Sequence, residues 1–465
     1  MKNYKTILFI FLISLILGAF SFFLSLKTAI IIVGIVVLLI SSFLIYLGIG
    51  TFRLPTFPLV FFIFYIVFIY IGSFQIFFEY NMDTPLYIVS VVLALLIFPL
   101  GVIFANFILK YKPKKESFDY LKKPIKKEGY DFKNTFLFVF LLILSILFSF
   151  LYLYQLPDIP LISAIKNPGQ RLLIAEAREA ATVLFPGKFH WYSFFFASLL
   201  PLLSIIALVK SMTLTSRKKL WKIFAMLIIL FTSFMLLSNM KKGPIIVYGL
   251  GLGTAFVIAK KGLKIKNLLI FGILGFIFLI AIYSLWAGLF STQLGIQENL
   301  SALVAVYDRI TLGQTRALYW HFRVFPNMQE FLMGKSFPNP GGFLFHKPIS
   351  LSRYLYSIVF PQSKIEGSLP TVFFGEIYAN FGFYASLLSV FLVGILLQIA
   401  QVYFVRKPKT ILMVSFMSFL VIYVKHLTST YFFQIVDIFL FILIFILFLF
   451  NVKLIYEKRK KQNKE

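Results

Sequence analysis

This sequence predicts an all-α, polytopic integral membrane protein, on three observations. Its 465 residues are 60% hydrophobic with a mean hydropathy of +0.92, whereas a soluble domain is typically about half apolar. Apolar runs of about 20 residues, long enough to cross a bilayer as helices, recur along the chain. The 45 Lys and Arg outnumber the 17 Asp and Glu, for a net charge of +28, and they gather in the turns between alternate apolar runs. That placement is the mark of membrane orientation and argues against nucleic-acid binding.

Taken in order, the apolar runs number twelve, near 6–26, 28–50, 58–78, 86–109, 134–155, 191–210, 223–239, 244–259, 267–289, 373–401, 410–424 and 434–452. The stretch 223–259 also reads as one re-entrant pair. The first run follows a short basic start, Met1 to Lys5, and has no convincing small-residue cleavage site, so it is expected to be a retained span and not a signal peptide. With the N-terminus inside, the cytoplasmic segments are Thr51–Phe57, Lys110–Lys133, Lys210–Lys222, Lys260–Lys266, Arg406–Lys409 and the tail from Lys453. With the N-terminus these hold about two-thirds of all Lys and Arg, and an even span count returns the C-terminus inside. The simplest partition is one membrane-embedded domain over 1–465, with two long outer loops, 156–190 and 290–372.

The second loop organises the chain. From about Thr292 to Thr371 it crowds Arg, Lys, His, Gln, Asn, Asp and Glu among aromatics, Gly and Pro. A polar segment of that length in a compact protein is functional or disordered, and its many aromatic and aliphatic residues argue against disorder. Cations remain in the outer loops where topology gives them no reason to be, so an anionic substrate on the outer face is expected.

Four places carry candidate chemistry. In the first loop, Asn167 and Pro168 are suited to start a helix and Pro186–Gly187 to end it. Arg171 and Arg178, seven apart, would then share one face, with Glu176 or Glu179 as an alternative partner for Arg178. At SNMKKGP, a helix beginning at Gly243–Pro244 would aim its N–H groups outward beside Lys241 and Lys242, an arrangement that favours anions; two snorkelling lysines are the plain alternative. In YDRITLGQTRALYWHFRVFP, Arg309, Arg316 and Arg323 fall at successive sevens, with Gln314 and His321 on an adjacent face. The guanidinium fork is suited to phosphate, and Gly313 weakens a continuous helix by roughly 1 kcal/mol. In FHKPISLSRY, His346 and Arg353 are again seven apart, across Pro348. His190 reads as an interfacial anchor, and His426 closes another span beside Lys425. There is no cysteine, and no carboxylate or histidine cluster of metal-binding spacing, so neither metal nor other cofactor is expected.

Three stretches, RITLGQTRALYWHFRVFPN, FLMGKSFPNPGG and LPTVFFGEIYANFGFYASLLSVFLVGILL, resemble the bacterial oligosaccharide repeat-unit polymerases of the Wzy type. Those are related to the O-antigen ligases and belong with the GT-C membrane glycosyltransferases. The resemblance is best over about 300–400, and GEIYANFG is its most telling piece. It implies a metal-independent enzyme of the bacterial cytoplasmic (inner) membrane that works on polyprenyl-pyrophosphate-linked oligosaccharides. One lipid-linked repeat unit would attack another on the outer face, and polyprenyl pyrophosphate would leave. The product would be O-antigen, capsule or exopolysaccharide, made alongside a flippase and a chain-length regulator as partners.

Within that reading the pyrophosphate is expected on Arg171, Arg178, Lys241, Lys242, Arg309, Arg316, Arg323 and Arg353. His321 is the first candidate for the base, then Glu376 and His426; Glu376 could instead orient an arginine. Tyr319 and Trp320 would stack on sugar rings, with Gln314 beside them. A ligase that moves finished polymer is a close alternative. A transporter is a remoter one, because the spans are nearly free of charge apart from Asp437.

Overall fold

The computed structural model describes residues 25–126, 132–167, 170–182, 184–185, 188–214, 218–262, 307–339, 347–362, 367–431, 438–447 and 449. Among these the regular structure is helical throughout: α1 (Leu26–Ile49), α2 (Phe57–Glu79), α3 (Pro85–Ile108), α4 (Pro113–Lys122), α5 (Phe132–Tyr154), α6 (Pro160–Lys166), α7 (Arg171–Ala180), α8 (Phe189–Thr213), α9 (Lys218–Ser238), α10 (Lys242–Ala259), α11 (Gly313–Val324), α12 (Leu351–Val359), α13 (Phe373–Arg406), α14 (Ile411–His426) and α15 (Ile438–Leu447). Among the described residues seven helices are long and apolar enough to cross a membrane, namely α1, α2, α3, α5, α8, α9 and α13; α10, α14 and α15 are shorter apolar helices. Seven of the twelve expected spans therefore coincide with helices long and apolar enough to cross a membrane and three with shorter apolar helices, while nearly all of 6–26 and the whole of 267–289 lie outside the described residues.

The chain divides into two compact units. The first comprises 1–120, 307–406 and 423–435; the second comprises 121–306, 407–422 and 436–465. In the first unit α3 and α13 pack backbone against backbone. Gly101 faces the carbonyl of Phe391, and Gly394 faces that of Phe98, so a Cβ on either would clash. Small residues are what let two membrane helices approach so closely. Buried amides tie α3 to α1 and α13 to α3. Asn106 Nδ2 donates to the Gly48 carbonyl at 2.7 Å, and Gln398 Nε2 to Asn106 Oδ1 at 2.6 Å. Such bonds satisfy polar groups that would be costly unpaired in hydrocarbon.

Past Gly382, α13 runs in the same direction as α3, with Phe391, Gln398 and Arg406 beside Gly101, Asn106 and Leu109, which gives the unit two distinct ends. Asp83, just before α3, pairs with Arg323 of α11. Arg406, which ends α13, donates to the carbonyls of Leu109 and Lys110, just past α3, and pairs with Glu116 of α4 at 2.9 Å. The basic α4 segment thus lies at one end and α11, through Arg323, at the other, while the start of α13 packs part-way along the unit on Phe61 and Tyr65.

In the second unit α6 and α7 dock on the turn that precedes α10, burying Ala164 and Ile174 with Met240. The Tyr152 hydroxyl, from α5, lies 2.6 Å from Asn239 Oδ1 of that turn and 2.9 Å from the Ala181 carbonyl after α7. Lys409 closes the end of α4 by donating to the carbonyls of Leu121 and Lys123 at 3.4 and 3.0 Å. Burial pushes its amine down to about 8.

Helix boundaries correct one expectation. Asn167 ends α6 and does not cap a following helix; α7 begins at Arg171 after Gln170 and stops at Ala180, before Pro186. At α10 the expectation and the structure agree closely, because Lys241 is the N-cap and Lys242 the first helical residue.

Candidate functional site

The richest polar constellation is in the first unit, where two of the quoted motifs clasp each other. Leu332 and Met333 donate their N–H groups to the carbonyls of Ala379 and Asn380 at 3.0 and 3.2 Å. Asn380 is buried and answers with its side chain. Its Oδ1 accepts from the Gly334 N–H at 2.9 Å, and its Nδ2 donates to Ser336 Oγ at 2.7 Å. Ser336 Oγ in turn donates to Glu376 Oε1 at 3.1 Å. The clasp is possible because α13 is two helices joined at Gly382, whose φ of 79° and ψ of −166° an L side chain rarely adopts. A Cβ there would also stand 3.2 Å from the Phe331 ring.

Glu376 and Ser336 line a cavity of about 290 Å³, together with Pro338, Pro348, Ile349, Ser350, Leu351 and Tyr431. That is near the lower end of small-ligand pockets. Behind Tyr431 sits His321. Its ring is fully buried, with Nδ1 2.7 Å from the Ala317 carbonyl and Nε2 3.0 Å from the Tyr431 hydroxyl. Burial pushes the imidazole down to about 4, opposed in part by the Ala317 contact. Burial, and then the charge of Glu376, push the Tyr431 hydroxyl well up.

The arginine row is arranged differently from its spacing. A π-helical turn over Asp308–Leu312 precedes α11, so the seven-residue step from Arg309 to Arg316 is not a plain α-helical one. Arg316 meets Glu79 at 3.4 Å, and Arg323 meets Asp83. Sequence reasoning missed these carboxylates because they lie more than 230 residues away, Glu79 at the end of α2 and Asp83 on the short α2–α3 turn. Tyr319 is also committed. It is buried, its ring stacks on Tyr80 with centroids 4.3 Å apart and meets Tyr87 edge-on, and its hydroxyl donates to Asp83 at 2.6 Å. It therefore has no face left for a sugar. Trp320 is half-buried, edge-on to Tyr80 and Tyr319.

The remaining candidates of this unit are scattered. Gln314 accepts from Thr371 through its main-chain carbonyl, while its buried Oε1 has no hydrogen-bond partner among the described residues. Arg353 is exposed on α12. His426 ends α14 half-buried, and its carbonyl accepts from the N–H groups of Ser429 and Thr430. The side chain of Arg309 and the whole of His346 lie outside the described residues.

In the second unit, the docking of α7 through Ile174 brings Arg178 near Lys241 at the start of α10. Lys241 is exposed as a residue, but its ammonium group sits over the Phe189 ring at 5.6 Å. Loss of solvent there, and then the Arg178 charge, push its pKa below the ordinary lysine value. Two cations held this close, beside a helix N-terminus, favour an anion. Arg171 opens α7, and Lys242 opens α10; their side chains are outside the described residues. His190 stacks on Phe439 at 4.1 Å. Among the described residues no three His, Asp or Glu gather to hold a metal ion.

Comparison with protein-family models, with curated proteins and with solved structures gives no match.

Proposed function

We propose that the chain polymerises polyprenyl-pyrophosphate-linked oligosaccharide repeat units on the outer face of the bacterial cytoplasmic membrane. The observation that carries this reading is the clasp between FLMGKS and GEIYANFG, which sets the Glu376 carboxylate in a cavity wall. These are two of the stretches by which the sequence resembles the repeat-unit polymerases. Glu376 is the base in this reading. It takes the proton of the acceptor hydroxyl as that oxygen bonds to the anomeric carbon of the donor; the bond from that carbon to the pyrophosphate breaks, and polyprenyl pyrophosphate departs with the electron pair. A positioned carboxylate contributes typically 10²–10⁴-fold to such a step.

His321 was the first candidate for the base on sequence, and its surroundings favour Glu376 instead. The imidazole does not line the cavity, both ring nitrogens are engaged, and burial makes it a weak base. Charge growing on the leaving group calls for cations. Exposed ion pairs are worth about 0–1 kcal/mol, so a pyrophosphate can draw Arg316 and Arg323 from Glu79 and Asp83 at small cost. Arg178 and Lys241 form a separate cation pair suited to a lipid-borne phosphate.

The test is deletion of the gene, followed by a gel of surface polysaccharide. Loss of the ladder with one repeat unit retained supports a polymerase. Complete loss of surface glycan points instead to a ligase or a flippase.

A further inference from the structure

Away from the cavity, the turn between α2 and α3 meets one face of α11. Arg316, Trp320 and Arg323 stand four and then three residues apart, so they share a stripe along that helix. Against this stripe Glu79 meets Arg316 at 3.4 Å, Asp83 meets Arg323, and Tyr80 lies edge-on to Trp320. The turn itself is strained. Asn81 and Met82 both take left-handed backbone, with φ of 53° and 60°, which is uncommon outside glycine and persists only where the surroundings hold it. Asp83 is the holding point, because it accepts from the Tyr319 hydroxyl at 2.6 Å, from the Thr84 hydroxyl at 3.0 Å and from Arg323.

This patch faces water. The four charged side chains of the two ion pairs are between 36% and 43% exposed, and charges opened to hydrocarbon are costly. Its polar tips are also not used up. The Tyr80 hydroxyl and the Trp320 indole N–H have no hydrogen-bond partner among the described residues, and Glu79 holds Arg316 through Oε2 alone. Tyr80 and Tyr319 stack with an interplanar angle of 11°, and Trp320 stands across both at 72° and 75°, its centroid 5.8 and 5.6 Å from theirs. The indole is therefore beside the stack, and at least one of its faces is covered by neither tyrosine.

A sugar has the chemistry that matches. Its ring offers a face of C–H groups to the indole, and its rim carries hydroxyls that both donate and accept. Glu79 Oε1 is an acceptor for them, and the Tyr80 hydroxyl and the Trp320 N–H are donors. Two cations and two carboxylates leave the patch without net charge, so nothing in it demands an anionic ligand. A pyrophosphate that draws the arginines away leaves Glu79 and Asp83 as acceptors for hydroxyls of the adjoining sugar.

We infer that the α2–α3 turn and the Arg316–Arg323 stripe of α11 form a saccharide subsite separate from the cavity, in which Trp320 packs on the C–H face of a sugar while Glu79 and Tyr80 bond its hydroxyls. It rests on the proposed polymerisation only for the identity of the glycan.

The experiment measures binding to the purified full-length protein in detergent. The probe is the oligosaccharide released by mild acid from the host's lipid-linked pool. By calorimetry, Glu79→Ala should weaken it about tenfold, the loss of one hydrogen bond to a charged group. Trp320→Ala should weaken it by about tenfold or more, as truncation of a packed aromatic anchor does. Lys115→Ala, on α4, should leave the affinity unchanged. Melting curves show which variants are folded, and Glu79→Ala, which alters an exposed side chain, stands as the test if Trp320→Ala does not fold. With Trp191, Trp221 and Trp286 replaced by Phe, Trp320 is the sole indole, and the oligosaccharide should shift its emission until the site is full.

Affinity unchanged in Glu79→Ala, or in a folded Trp320→Ala, overturns the inference, as does failure of the wild type to bind the oligosaccharide. Trp320 emission that ignores the oligosaccharide but is quenched in phosphatidylcholine vesicles with brominated acyl chains makes the indole a membrane anchor, and overturns it too. Because binding is read without turnover, these outcomes are separate from whether the protein polymerises. An inactive wild type that still binds the oligosaccharide through Trp320 sinks the polymerase reading and leaves the subsite standing.

Discussion

Glu376 is 2% exposed, yet its carboxylate lines a cavity and is held by Ser336, which Asn380 fixes from the other side. Glu376→Gln keeps the shape and the Ser336 contact but cannot take up a proton. Turnover with lipid-linked repeat units should fall about 10²–10⁴-fold while the oligosaccharide still binds; near-normal turnover would remove Glu376 as the base. His321 supplies a second prediction through pH. Its imidazole is held at about 4 against an ordinary 6.5, so between those values the unfolded chain binds more protons than the folded one. Stability is then unaffected above about pH 6.5 and is lost as pH falls toward 4. The depression from 6.5 to about 4 corresponds to about 3 kcal/mol. Melting of the wild type should drop over this window more than that of His321→Gln, and parallel curves would refute the buried neutral imidazole. His321 stands out in the sequence as the histidine between two arginines, but its burial does not, because Tyr431 reaches it from 110 residues away.

At the scale of elements, the helices were legible and the partners of their polar faces were not. The run up to Pro326 reads as a helix and α11 stops at Val324; SNMKKGP reads as a helix start and α10 begins there. Local spacing carries that much. It does not show that a π-helical turn alters the arginine row, or that Glu79 and Asp83 face it, since those depend on packing between distant segments. The motif GEIYANFG was visible as a motif. Its mechanics, a helix break at Gly382 with Asn380 clasping the 332–336 turn, needed the backbone. Gly382→Ala forces an L side chain into a left-handed conformation against Phe331, a strain of about 1–3 kcal/mol. It should lower the melting temperature and the activity together. Asn380→Ala should repeat the loss of activity, because it frees Ser336 and the Gly334 N–H. A Gly382→Ala protein with unchanged melting and turnover would show that the clasp does not position Glu376.

For the molecule as a whole, hydropathy and basic turns made the polytopic helical class plain; among the described residues seven of the twelve expected spans coincide with helices long and apolar enough to cross a membrane, and three with shorter apolar helices. In the first unit the basic α4 and the Arg323–Asp83 pair of α11 sit at opposite ends of α3, the arrangement that the positive-inside rule calls for if α11 lies on the outer side. Because the chain has no cysteine, single cysteines report orientation without background. A cysteine at Asn339 should react with an impermeant thiol reagent in intact spheroplasts, and one at Lys115 only after lysis; the reverse pattern would invert the topology. The central claim is the reaction itself. It is tested most directly by incubating the purified protein with lipid-linked repeat units, with a chelator present and no nucleotide, and separating the products by size. The account predicts a ladder of lipid-linked glycans that lengthens one repeat unit at a time and is lost in Glu376→Gln. A wild-type reaction in which every glycan remains a single repeat unit would contradict it.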